Sequence, residues 1–114
     1  MTVTIWHNPR CSKSRETLAL IRERGIEPTI VEYLKTTPTD AQLRDALKRL
    51  GLPAAALLRR SEPAARARGL GKDSDEAAII AAMADDPVLI ERPVVFSAKG
   101  GRIGRPPEAV AEIL

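Results

Sequence analysis

The sequence predicts an α/β fold in which a mixed four-stranded sheet is assembled from a βαβ unit, a helical insert and a ββα unit. Three observations carry this. Strand-like and helix-like periods alternate over the first third of the chain, and the middle, at about residues 38–87, shows helical spacing alone. A second strand-rich segment with a glycine-rich turn follows it. At 114 residues the chain is read as a single domain, 1–114, with no repeat or linker.

Val3, Thr4, Ile5 and Trp6 form a short apolar strand, which Asn8-Pro9 ends. From Ser12 the period changes. Thr17, Leu18, Leu20 and Ile21 recur at helical spacing, with Arg15, Glu16, Arg22 and Glu23 on the other face. Gly25 caps this helix and Pro28 opens a second strand over residues 29–33. Strand, helix and strand in about thirty residues is a βαβ unit, so the two strands should be parallel with a right-handed crossover. Thr36-Thr37-Pro38-Thr39-Asp40 is the next break, and Thr39 is an N-cap. Residues 41–50 place Leu43, Leu47 and Leu50 at helical spacing, closed by Gly51, and further helices are expected over 53–60 and 74–84. Arg92-Pro93-Val94-Val95-Phe96, the turn Lys99-Gly100-Gly101 and Arg102-Ile103-Gly104 read as a hairpin. Pro106 and Pro107 begin a last helix, with Val110 and Ile113 facing the core. This order matches the thioredoxin class, the insert lying between the second and third strands.

Composition narrows the function. An apolar content of 44% suits a soluble globular protein, and no window approaches the ~18 consecutive apolar residues of a membrane helix. The N-terminus shows no charged-then-apolar leader pattern, so a cytoplasmic location is expected, where a lone reduced cysteine persists. The net charge is +3, from thirteen arginines and five lysines against fifteen acids. Trp6, Tyr33 and Phe96 are too few to form a base-stacking platform, and most basic residues alternate with acids. A small anion fits this charge better than a polynucleotide does.

The one cysteine, Cys11, lies in His7-Asn8-Pro9-Arg10-Cys11-Ser12-Lys13-Ser14-Arg15, between the first strand and the first helix. At a helix start, unpaired backbone N–H groups and the positive dipole end favour an anion, and Arg10, Lys13 and Arg15 flank the thiol. Such surroundings lower a cysteine pKa from roughly 8.5 to roughly 3.5–7.5. Polar neighbours on both sides make poor company for a packing cysteine, so Cys11 is read as a reactive thiolate. Ser14, one helical turn on, is expected to donate its hydroxyl to that thiolate. One cysteine and one histidine exclude an internal disulfide and a Cys-rich zinc site, so no metal is expected.

Several motifs fail. Gly69-Leu70-Gly71-Lys72 lacks the first glycine of a phosphate-binding loop, Arg66 standing there, and Asp73 replaces the Ser or Thr after the lysine. A phosphatase Cys-x5-Arg loop would need arginine where Thr17 stands, and Ser14 occupies the second position of a Cys-x-x-Cys. What remains is His-Asn-Pro-x-Cys-x-x-Ser-Arg at the head of a thioredoxin-like order.

This pattern resembles the glutaredoxin-coupled arsenate reductase (ArsC-like) family. The resemblance extends over nearly the whole chain, through Ala56-Leu57-Leu58-Arg59, Glu91-Arg92-Pro93-Val94-Val95 and Arg102-Ile103-Gly104-Arg105-Pro106. It implies that Cys11 is the nucleophile, that Arg59, Arg92 and Arg105 hold an oxyanion, and that His7 lies near the thiol. Ser14 and Arg15 complete the catalytic set. It also implies a cis Arg92-Pro93 bond facing the Cys11 loop. Of the adjacent Arg59 and Arg60, one must face solvent. The implied reaction is reduction of arsenate to arsenite. Because that takes two electrons and the chain has one thiol, glutathione or a similar thiol must act as co-substrate, and then glutaredoxin must release Cys11 from the mixed disulfide. No bound cofactor is expected. The implied partners are arsenate or a similar oxyanion, glutathione and glutaredoxin, with the chain a monomer that contacts neither nucleic acid nor membrane. Two other readings stay open: another glutathione-dependent thiol oxidoreductase, and a non-catalytic transcriptional regulator resembling the Spx proteins.

Overall fold

The computed structural model describes residues 2–114, which form two compact units, residues 2–36 with 92–114 and residues 37–91. The first unit holds β1 (Thr4–Trp6), α1 (Ser12–Glu23), β2 (Thr29–Val31), β3 (Val94–Ser97) and β4 (Gly100–Ile103), and ends in a 3₁₀ helix, Pro107–Ile113. The sheet runs β2-β1-β3-β4, with β1 parallel to β2 and β3 antiparallel to both β1 and β4. The α/β class, the mixed four-stranded sheet and the parallel βαβ pairing expected from the sequence are those observed.

Alternation along β1 explains which face is covered. Val3 and Ile5 project to one side, where they pack with Leu18 and Ile21 of α1, Val95 of β3, and Val110 and Ile113 of the terminal 3₁₀ helix. Each such buried aliphatic side chain contributes about 1.5–3 kcal/mol relative to exposure. Trp6 and Phe96 lie on the other face in an edge-to-face contact, ring centroids 5.2 Å apart.

In the second unit, α2 (Asp40–Leu50) begins with a complete capping box. Thr39 Oγ1 accepts from the Gln42 N–H, and the Gln42 side chain accepts from the Thr39 N–H. Gly51 ends the helix in the left-handed region at φ 69°. The helices α3 (Ala54–Leu57), α4 (Pro63–Ala67) and α5 (Glu76–Asp85) follow, then a 3₁₀ turn, Pro87–Leu89. Leu43, Leu47, Ile79, Ile80 and Met83 are buried. The Glu76 carboxylate caps α3 by accepting from the Ala54 N–H at 2.9 Å. Among the described residues no helix is long and apolar enough to cross a membrane.

Several local expectations change. The helix expected over 53–60 stops at Leu57, because Leu58 pairs with Ile90 and the Arg59 N–H donates to the Leu89 carbonyl at 2.7 Å. A long-range bridge overrides helical propensity there. The short α4 lies in a stretch for which no separate helix was expected. The second strand ends at Val31, before Tyr33. Gly25, at φ 76°, is one residue past the C-cap Arg24. The hairpin turns at Ala98-Lys99, since Ser97 pairs with Gly100, so both glycines belong to β4. The Arg92-Pro93 bond is cis, as is Arg105-Pro106, which nothing in the sequence reading anticipated.

Candidate active site

The loop after β1 is held by its own backbone. The His7 N–H continues the parallel pairing to the Val31 carbonyl at 2.8 Å. Asn8 Oδ1 accepts from the Arg10 N–H at 3.0 Å, an Asx turn, and the Asn8 carbonyl accepts from the Cys11 N–H at 3.0 Å. Arg15 Nη1 donates to the Pro9 carbonyl at 2.9 Å, tying the helix back to the loop. These bonds leave Cys11 extended as the N-cap of α1, at φ −94° and ψ 123°.

Cys11 is a buried free thiol, 9% exposed. It makes no strict cap hydrogen bond, but the backbone N–H groups of Ser14 and Lys13 face the sulfur closely enough to favour its anion. The Arg92 guanidinium lies beside it as well. Burial is the largest single influence on the thiol and pushes its pKa up. The Ser14 N–H, the Arg92 charge, the Lys13 N–H and an Arg92 hydrogen bond together outweigh it, so the thiol titrates below its ordinary value. The absence of acidic residues in the first turn of α1 leaves the positive helix end uncompensated.

Ser14 does something other than expected. Its hydroxyl is fully buried, lies 2.6 Å from His7 Nδ1 in a hydrogen bond and accepts from the Asn8 N–H at 3.0 Å. The hydroxyl therefore fixes the loop, and the backbone N–H of the same residue faces the thiol. Sequence spacing finds the residue but not which of its groups is used. His7 is 6% exposed and its pKa is lowered, first by burial; the Glu32 carboxylate opposes this, while Arg22 and Arg15 add to it. A neutral imidazole results at neutral pH.

Arg92 differs from the other arginines. Its Nε and Nη1 are buried and have no hydrogen-bond partner among the described residues. Buried guanidinium donors without acceptors are costly, and a planar set of such donors beside a thiolate suits a tetrahedral oxyanion. Arg105 is exposed, and its Nη1 donates to the Arg92 carbonyl at 3.3 Å. Cys11, His7, Ser14, Arg15, Arg92 and Arg105 thus share the first unit. Arg59 belongs to the second, where it is partly buried and pairs with Glu62 at 3.1 Å, while its neighbour Arg60 is exposed. A cleft of about 210 Å³ lies between the loop residues Asn8, Pro9 and Arg10 and the segment after β2, with Glu32, Leu34 and Lys35 on its far wall.

Sequence reasoning placed Pro93 beside the Cys11 loop and Thr17 in the first helix, but it did not find that both pack against Gly104. The Arg102-Ile103-Gly104-Arg105-Pro106 segment is visible as a motif, but nothing local shows what its glycine touches.

Comparison with known proteins gives a consistent result. The family model described as the ArsC family matches residues 6–113. An Escherichia coli (strain K12) protein named only as uncharacterized protein YfgD is 52% identical, over 98% of this chain and 96% of its own. An arsenate reductase of Rhizobium meliloti (strain 1021) is 45% identical, over 100% of this chain and 82% of its own. Among solved structures, an arsenate reductase from Vibrio cholerae superposes with a TM-score of 0.96 at 46% identity, covering 100% of this chain and 98% of that one.

Proposed function

This chain belongs to the ArsC family, and on that premise we propose that it reduces arsenate to arsenite with Cys11 as the nucleophile and glutathione and glutaredoxin supplying the electrons. The observation that carries the reading is the pairing of a thiol held below its ordinary pKa with two unpartnered, buried guanidinium donors on the same Arg92. The first group attacks. The second receives the negatively charged oxygens that the attacked centre carries.

In the first step the Cys11 thiolate forms an S–As(V) bond and one arsenate oxygen leaves as water after taking up protons. Arg92 donates to the remaining oxygens, and such donors are worth most where charge develops during attack. Arg105, whose Nη1 donates to the Arg92 carbonyl, adds positive charge in this reading. The second electron-bearing sulfur must come from outside, because the chain has one cysteine. Glutathione adds to arsenic with loss of a second water, and the two sulfurs then join. That S–S bond takes up both electrons' worth of oxidation, arsenic falls from As(V) to As(III), and arsenite leaves. The cleft beside the loop offers Arg10 and Lys35 for carboxylates and Glu32 for an ammonium, which suits a zwitterionic tripeptide thiol. A glutaredoxin thiol then attacks the Cys11–glutathione disulfide and frees Cys11.

His7 and Ser14 act through the loop: their bond and the Asn8 N–H fix where Cys11 starts the helix. The test is arsenite production by the purified chain with glutathione and glutaredoxin, each omitted in turn, and with other oxyanions in place of arsenate. Turnover that needs both thiol components and disappears in Cys11→Ser is expected. Turnover of another oxyanion but not arsenate, or activity retained in Cys11→Ser, overturns the reading.

A further inference from the structure

Gly104 is buried immediately after β4, where its N–H donates to the Pro93 carbonyl at 2.9 Å. A Cβ placed on it would lie 2.6 Å from Thr17 Oγ1, 2.8 Å from Pro93 Cγ and 3.1 Å from Thr17 Cγ2. A side chain there would force Thr17 and Pro93 to shift. Its φ lies outside the left-handed region, so close approach, and not backbone conformation, is what calls for glycine.

Both neighbours lead to the thiol. Thr17 is fully buried in α1, and its hydroxyl donates to the Lys13 carbonyl at 2.7 Å, within the turn whose N–H groups face Cys11. Pro93 directly follows Arg92, whose guanidinium faces the same sulfur. The helix start and the arginine therefore meet at one point behind the site. We propose that Gly104 is a positioning residue: having no side chain, it lets Thr17 and Pro93 close around it and so sets the distance between the first turn of α1 and the Arg92 guanidinium across Cys11. This rests on Cys11 being the site nucleophile. It does not depend on which oxyanion is reduced.

The test is the pH dependence of Cys11 alkylation by iodoacetamide, read on folded protein and without substrate. Gly104→Ala should move the alkylation midpoint up by about one pH unit, leaving about tenfold less thiolate below the midpoint, because Arg92 is pushed from the sulfur. A folded Gly104→Ala with the parental midpoint overturns the proposal, since a purely structural glycine would lower stability and leave the thiol alone. If Gly104→Ala fails to fold, Thr17→Ala is added to it, which clears the contacts at 2.6 and 3.1 Å and leaves Pro93 Cγ at 2.8 Å. The double variant should then alkylate with a higher midpoint than Thr17→Ala alone. An equal midpoint, or a double variant that still does not fold, assigns Gly104 to stability alone and overturns the proposal. The arsenate assay is separate, so a failure of the substrate assignment and a failure of this inference give different results.

Discussion

Replacing Arg92 by lysine separates charge from geometry at the site. Arg92 presents two buried, unpartnered donors, Nε and Nη1, and its charge also favours the Cys11 thiolate. Lysine keeps the charge but offers a single ammonium on a flexible stem, so it cannot reproduce a planar set of donors. A hydrogen bond from a charged donor contributes about 1.5–3 kcal/mol. Losing one that ammonium cannot replace should therefore lower kcat/KM for arsenate by about tenfold to a hundredfold, at about 1.4 kcal/mol per tenfold. The iodoacetamide midpoint of Cys11 should shift little in Arg92→Lys. It should rise in Arg92→Met, where the charge goes too. Steady-state kinetics at saturating glutathione and glutaredoxin, paired with the alkylation profile, read the two effects apart. A parental kcat/KM in Arg92→Lys would refute the oxyanion role and leave Arg92 as a source of general positive charge.

Ser14→Ala should leave the Cys11 alkylation midpoint nearly unchanged, because the backbone N–H that faces the thiol remains. It should cost about 1–3 kcal/mol in urea unfolding, because the Asn8 N–H and His7 Nδ1 both lose a partner; a large midpoint shift with parental stability would reverse the roles assigned to the two groups. Burial depresses the His7 pKa, so the unfolded chain binds more protons than the folded one below the ordinary histidine value of about 6.5. Stability at pH 7 to 8 should accordingly fall as the pH drops through about 6.5, and the fall should shrink in His7→Gln; an identical pH dependence in that variant shows that other groups cause it. Thr39→Ala removes one half of the α2 capping box and should cost about 1 kcal/mol, read as a lower urea midpoint, with no effect on Cys11 alkylation.

What the sequence reveals depends on the range of the forces involved. The start and stop of α2 are legible because Thr39, Gln42 and Gly51 act within one turn of the helix ends they define. The helix start at Cys11 is legible for the same reason, but the charge that favours its anion comes from Arg92 and not from the flanking Arg10, Lys13 and Arg15. The end of α3 is not. Leu57 stops the helix because Leu58 pairs with Ile90, a partner thirty-two residues along the chain, and Ala and Leu propensity around it points the other way. The terminal segment after Pro107 reads as a helix but forms 3₁₀ turns. Ser14 shows a further limit: the motif identifies the residue, but the choice between its hydroxyl and its N–H is made by His7 and Asn8. Arg92 emerges from thirteen arginines only through the resemblance, because what marks it is the lack of partners at two buried nitrogens. The closeness of Gly104 to Thr17 and Pro93 joins segments far apart in the chain and has no local signature at all.

The pairing of β1 with β3 has a consequence for how the thiol comes into being. Cys11 leaves the ribosome early, yet the antiparallel neighbour of its strand begins at Val94 and the guanidinium that favours its anion is at residue 92. At about 5–20 residues per second, synthesis separates the two by several seconds. During that interval the nascent chain carries Cys11 without Arg92. The arginine joins the thiol only as the sheet is completed. A truncated translation product that ends before residue 92 carries Cys11 without the charge that favours its anion.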